Sequence, residues 1–127
     1  MNSGSAVRES FSRDDRLRKR REFEECYASG VRVSGRFLQI FVRVRSDGAG
    51  PIRLGLSVPR RAGNAVARNR LRRRLREIFR ASRVSLRAAG FDLVVQSRRG
   101  AATAVFSDLR GDFLGLVERA LARSRVG

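Results

Sequence analysis

The chain has 127 residues, 42% of them hydrophobic, and carries 29 Lys+Arg against 12 Asp+Glu for a net charge of +17, which suits a single domain with one modest core. It has no His and one Cys, Cys26, which excludes a four-ligand zinc site, an intramolecular disulfide and a Cys–His nucleophilic pair. No run of eighteen apolar residues occurs, and residues 1–21 carry acids without an apolar core, so neither a membrane span nor a signal or transit peptide is expected and a cytoplasmic location follows.

Residues 1–15 are polar and rich in charge and serine, with Phe11 the one aromatic, and are expected to be disordered. The folded domain is expected over 16–123, with a tail at 124–127. A short helix is predicted over about 18–28, ended by Ser29-Gly30 as a glycine C-cap, with Phe23 and Tyr27 at i, i+4 on one face. Cys26 is expected to pack in the core under this helix.

Residues 36–45 alternate as a strand. Leu38, Ile40, Val42 and Val44 point to the core, while Phe37, Gln39, Phe41, Arg43 and Arg45 take the other face. After a turn at 47–51, residues 52–58 alternate again, and the two strands are expected to pair as an antiparallel hairpin. A further short strand is expected near 31–33.

Gly63-Asn64 breaks the chain, Asn64 being a candidate cap, and a helix is predicted over 65–82. Residues 91–97 read as a central strand, with Leu93, Val94 and Val95 apolar in succession. A last helix over 106–123 has an apolar stripe of Phe106, Leu109, Phe113, Val117, Ala120 and Leu121. Asp108 and Asp112 near its start and Arg119 and Arg123 near its end suit the helix dipole. The order α-β-β-β-α-β-α makes an α+β, single-domain α-β sandwich.

The strongest functional signal is the stretch 60–80. Lys19 is the only lysine, so 28 of the 29 cationic residues are arginine. Arginine grips phosphate with a planar fork and stacks on bases. A GC-rich genome accounts for arginine over lysine, but not for the net charge. On a helical wheel Ala67, Leu71, Leu75, Ile78 and Phe79 form one stripe; Asn69, Arg73, Arg76 and Arg80 lie opposite; Arg68 and Arg72 flank one side, Arg70 and Arg74 the other. Acidic partners one turn away are nearly absent, Glu77 apart, so this is more than a solvated charged face. A helix neutralising roughly six phosphates would bind with a log–log salt slope near −0.9 per phosphate on a duplex and less on single strands.

Residues 53–58 (RLGLSV), 63–70 (GNAVARNR) and 73–77 (RRLRE) together closely resemble the signature of the bacterial ribonuclease P protein. A bare Arg68-Asn69-Arg70 carries little; a match at fixed spacing across some two dozen positions, 53–77, is specific. The resemblance spans about 11–121, with lysines of the family replaced here by arginines such as Arg60, Arg61 and Arg72.

It implies a roughly four-stranded sheet with a left-handed βαβ crossover, against the usual right-handed rule. It implies a protein subunit without catalytic or metal-binding residues of its own, beside a large catalytic RNA that uses bound Mg2+ to remove the 5′ leader of precursor tRNA. The catalytic RNA would be held by Arg60, Arg61, Asn64, Arg68, Asn69, Arg70, Arg72, Arg73, Arg74 and Arg76. The leader would lie in a cleft between the first helix and the sheet, against Phe23, Tyr27, Phe41, Arg43 and Ser57. Aromatics interleaved with arginines suit single strands by stacking. The opposite reading, aromatics packed under a helix as a second small core, is favoured for Phe37.

Three other functions compete. A structural ribosomal protein would be equally small and basic but would lack the 63–70 run. A helix-turn-helix DNA binder would place another helix, not strands, before the basic one. A stand-alone protein nuclease would want His or an acidic metal cluster. DNA and membranes are not expected partners.

Overall fold

The computed structural model describes residues 16–17, 19–45, 50–86 and 90–126. The N-terminal segment 1–15 and residues 47–49 of the expected turn lie outside them. In chain order the elements are α1 (Arg20–Ser29), β1 (Val31–Ser34), β2 (Leu38–Val44), β3 (Arg53–Ser57), α2 (Ala65–Leu86), β4 (Phe91–Ser97) and α3 (Phe106–Val126). One-turn 3-10 helices stand at Arg60–Ala62 and Ala101–Thr103. The α+β class and the element order are those expected, the short strand near 31–33 included.

The sheet order is β1-β2-β4-β3. β4 is buried along almost all its length, and a strand apolar on both faces belongs in the middle of a sheet. It therefore takes a neighbour on each edge: β2 antiparallel over all seven residues, from Leu38 opposite Ser97 to Val44 opposite Phe91, and β3 parallel. This corrects the expected hairpin of 36–45 with 52–58, because β4 lies between them. The parallel pair β3 and β4 is joined through α2, the crossover that the order requires.

Helices α2 and α3 cover one face. Leu38, Ile40, Val42, Leu54, Leu93 and Val95 meet Leu71, Leu75, Ile78 and Phe79 of α2 and Leu109, Phe113, Leu116 and Val117 of α3 there. The smaller layer on the other face is Leu17, Cys26, Phe41 and Val94, with Phe23 packed against it. Two apolar expectations are corrected. Val44, at the strand end, is 55% exposed, and Phe106, at the helix start, is 38% exposed; Leu116, not foreseen, is buried in the core.

Phe37 packs toward the main core rather than sharing the face of Phe41. It lies before β2, because the Asp112 carboxylate of α3 accepts the backbone N–H groups of Arg36 (3.3 Å), Phe37 (2.9 Å) and Leu38 (3.0 Å) and so sets where the strand begins. Asp112 is thus a clamp more than a dipole partner.

The helix ends have local causes. At α1 the Glu22 side chain accepts the Lys19 N–H at 3.2 Å. Gly30 is the C-cap of α1 as expected, its N–H donating to the Cys26 carbonyl at 2.9 Å, and it takes extended backbone there. Glycine is needed there for space, since a Cβ would lie 2.4 Å from the Cys26 carbonyl oxygen and 2.9 Å from that of Val42. Asn64 caps α2 as expected, its Oδ1 accepting the Ala67 N–H at 2.8 Å. α2 runs four residues and α3 three residues beyond their expected ends, α3 through residues expected as tail.

Candidate nucleic-acid interface

Residues opposite one another in paired strands share a face, so the register orders the α1 side of the sheet in rows. Arg43, Asp92 and Arg53 form the first row; Phe41, Val94 and Gly55 the second; Gln39, Gln96 and Ser57 the third. α1 lies over the first two rows. Tyr27 stands edge-on to Phe41 with ring centroids 4.8 Å apart, and Phe23 is 6.5 Å from Tyr27. Gly55 leaves room for the Phe23 ring, whose Cζ would be 2.7 Å from a Cβ at that position.

The expected set Phe23, Tyr27, Phe41, Arg43 and Ser57 therefore shares one side of the molecule. Its members differ in access. Phe41 is 8% exposed and forms the floor, whereas Tyr27 is 37% exposed and offers the open ring surface. Gln39, placed on this face by the alternation of 36–45, and Gln96, which was not singled out, are half-buried polar members beside Ser57.

Arg43 is not a free cation. Its Nη1 lies 3.4 Å from Asp92 and 3.8 Å from Glu25. Asp92, with a side chain 1% exposed, also accepts from Arg45 at 2.6 Å and from Arg53 at 2.9 and 3.0 Å. Arg53 further donates to Glu22 at 3.0 Å. Its hydrogen bonds to the Asp92 carboxylate raise the Arg53 guanidinium above its ordinary range despite burial. Asp92 was not foreseen, yet a lone acid in an apolar central strand requires charged partners.

Cys26 sits between the layers as expected, its Sγ 3.7 and 3.8 Å from the carbonyl oxygens of Phe41 and Asp92. Burial, then the Asp92 charge, push its thiol up to about 12. The thiolate is the reactive species, so Cys26 is expected to resist iodoacetamide at pH 8 in the folded chain and to react promptly in urea. Rapid labelling of the folded chain would contradict this burial.

Helix α2 presents arginine on two flanks. Arg72 and Arg76 line a groove of about 190 Å³ with Arg16, Leu17, Phe23, Leu54 and Leu56, wrapped around the β3 edge. Arg16 bridges to Leu54 there. Burial, then the charges of Arg16 and Arg72, lower the Arg76 guanidinium from its usual range. On the other flank Arg70, Arg73 and Arg74 face the start of α3.

Of the expected RNA-binding set, Arg60, Arg61, Arg70 and Arg73 are exposed, and their side chains make no hydrogen bond or ion pair with another described residue. Arg68 bonds the Gly63 carbonyl at 3.1 Å, Arg74 that of Ala104 at 3.2 Å, and Arg72 the Asn69 side chain at 2.9 Å. Asn64 is occupied in capping.

A second cationic hollow lies past the carboxyl ends of the parallel strands β3 and β4. Arg61, Arg98 and Arg99 line about 220 Å³ with Pro59, Ala62, Ser97, Gly100 and Ala102. The Ser97 hydroxyl is buried there without a partner among the described residues. Ends of parallel strands are where α/β sheets take ligands. Arg98 and Arg99 were not singled out from sequence, for their Ser-Arg-Arg-Gly setting reads only as a loop.

Residues 11–121 match the family profile described as Ribonuclease P. The ribonuclease P protein component of Kocuria rhizophila is 41% identical over 108 residues, covering 85% of this chain and 93% of that protein. That of Gluconacetobacter diazotrophicus is 40% identical over 113 residues, covering 87% and 95%. The solved structure of the ribonuclease P protein from Thermotoga maritima superimposes with a TM-score of 0.73 at 33% identity, covering 82% of this chain and 96% of that one. The chain therefore belongs to the bacterial ribonuclease P protein family, the protein components of an RNA-based endoribonuclease that processes precursor tRNA.

Proposed function

We propose that residues 16–123 bind the catalytic RNA of ribonuclease P through the arginines of α2 and the turn before it, and hold the 5′ leader of precursor tRNA on the α1 face of the sheet. The carrying observation is the set of exposed arginines, Arg60, Arg61, Arg70 and Arg73, without partners among the described residues. The leader reading rests on the open Tyr27 ring above Phe41, with the polar row Gln39, Gln96 and Ser57 beside it. The hollow with Arg61, Arg98 and Arg99 fits a backbone phosphate at the end of that path.

Mg2+ belongs to the RNA in this reading. Among the described residues no three acidic, His or Cys side chains gather as a metal site, and the buried Asp92 carboxylate is taken up by arginines. The protein's part is binding and orientation, in the cytoplasm; no described helix is long and apolar enough to cross a membrane.

The leader role is better tested at Tyr27 than at Phe41, whose removal would also hollow the layer under α1. Tyr27→Ala should weaken precursor tRNA binding to the assembled enzyme by about tenfold, one stacked base contributing ~1–3 kcal/mol. Binding of mature tRNA should stay the same. Equal losses for both ligands would refute the leader face. The wider reading is tested by asking whether the chain binds ribonuclease P RNA and lowers the magnesium needed for precursor cleavage.

A further inference from the structure

The α3 flank of α2 holds an arrangement unlike the rest of the basic surface. Arg74 donates from Nη1 to the Ala104 carbonyl at 3.2 Å, tying α2 to the turn that leads into α3. The tie sets Phe106, the first residue of α3, against Arg70, Arg73, Arg74 and Glu77 around an open depression of about 260 Å³. Phe106 is 38% exposed and Val105 beside it 64% exposed, although the helix buries five large apolar side chains further along. Arg70 and Arg73 have no partner among the described residues. Glu77 is drawn to Arg80, whose hydrogen bond lowers its carboxyl from the ordinary range and keeps it ionised.

We propose that this depression receives one unstacked base of the partner RNA, its ring stacked on Phe106 and its flanking phosphates held by Arg70 and Arg73. An aromatic ring set among arginines is the composition that takes a base with its backbone. A phosphate alone fits poorly, because the Phe106 ring gives it no donor and the Glu77 carboxylate repels it. A base suits both, since its amino edge can donate to a carboxylate. A second copy of the chain fits poorly too, for three guanidiniums would meet a surface of the same sign. The hollow lies below the ~300 Å³ at which small-molecule pockets begin, in keeping with a single base. The RNA-bound surface thus extends beyond the α2 arginines onto α3.

This inference rests on the RNA-binding reading above, and the test separates the two. The full chain and its Phe106→Leu and Phe106→Trp variants are titrated against ribonuclease P RNA from the same bacterium at several salt concentrations. Phe106→Leu should lose about tenfold in affinity with the salt slope unchanged, and Phe106→Trp should bind as well as the parent or better. Leucine binding as tightly as phenylalanine, or tryptophan failing equally, would overturn the base site while leaving the α2 reading intact. Failure of the parent chain to bind this RNA would overturn both. A concentration-dependent dimer without RNA, abolished by Phe106→Leu, would assign the depression to a second copy and overturn it as well.

Discussion

Asp92→Ala is expected to lower the unfolding free energy by about 3–5 kcal/mol, the range for removing one partner from a buried ion pair. Its carboxylate joins Arg43 of β2, Arg45 just past the end of β2, and Arg53 of β3 on the other side of β4. Without it, three guanidiniums crowd a site from which water is largely excluded. Glu25 still serves Arg43, Glu22 serves Arg53, and the Phe91 and Pro51 carbonyls serve Arg45, which puts the loss toward the low end. Against the ~5–15 kcal/mol total stability of small domains, it is nonetheless large. Urea denaturation gives the measurement, and Asp92→Asn, which keeps shape and an acceptor, should lose less. A shift of under about 1 kcal/mol for Asp92→Ala would show the cluster to be dispensable.

Replacing Arg70 and Arg73 together by alanine should weaken binding of the catalytic RNA on the order of 100-fold near physiological salt, two charge-assisted contacts each contributing about 1.5 kcal/mol or more. The log–log salt slope should become shallower by about 1.4–1.8, two phosphate contacts being lost. Both side chains are exposed and without partners among the described residues, so the denaturation midpoint should not move. Lysine at both positions should preserve the slope while recovering only part of the affinity, because a point charge does not reproduce the guanidinium fork. An unchanged slope in the alanine pair would mean that these arginines face water in the complex.

The wheel of residues 65–82 and the alternation of 36–45 were legible because each element buries one face, and burial prints its period on the sequence. Adjacency was not legible. Nothing within residues 36–58 reveals that a strand more than thirty residues later will sit between them; that follows only from β4 needing cover on both edges. The aromatic face was readable as a set, since Phe23, Tyr27 and Phe41 all lie on one side of the molecule. Which ring is open depended on how closely α1 approaches, and this is set by Gly30 and Gly55, whose missing side chains admit the Cys26 carbonyl and the Phe23 ring. Arg43 was placed against the leader by its strand face alone, and its ion pair was not legible because Asp92 is 49 residues away. Phe106 read as core because a stripe carries no mark of where the layer beneath it stops.

Asp112 has a reach beyond the turn it clamps. A strand with side-chain period two can slide by one residue at little cost to its backbone ladder, and such a slide turns every side chain over. β2 carries Leu38, Ile40 and Val42 to one layer and Phe41 to the other, so a slip would bury Phe41 among the α3 leucines and present Ile40 or Val42 beneath Tyr27. By holding three successive N–H groups at the strand's entrance, the carboxylate works as a frame-keeper. A residue on the far layer thereby decides which side chain of the sheet faces α1.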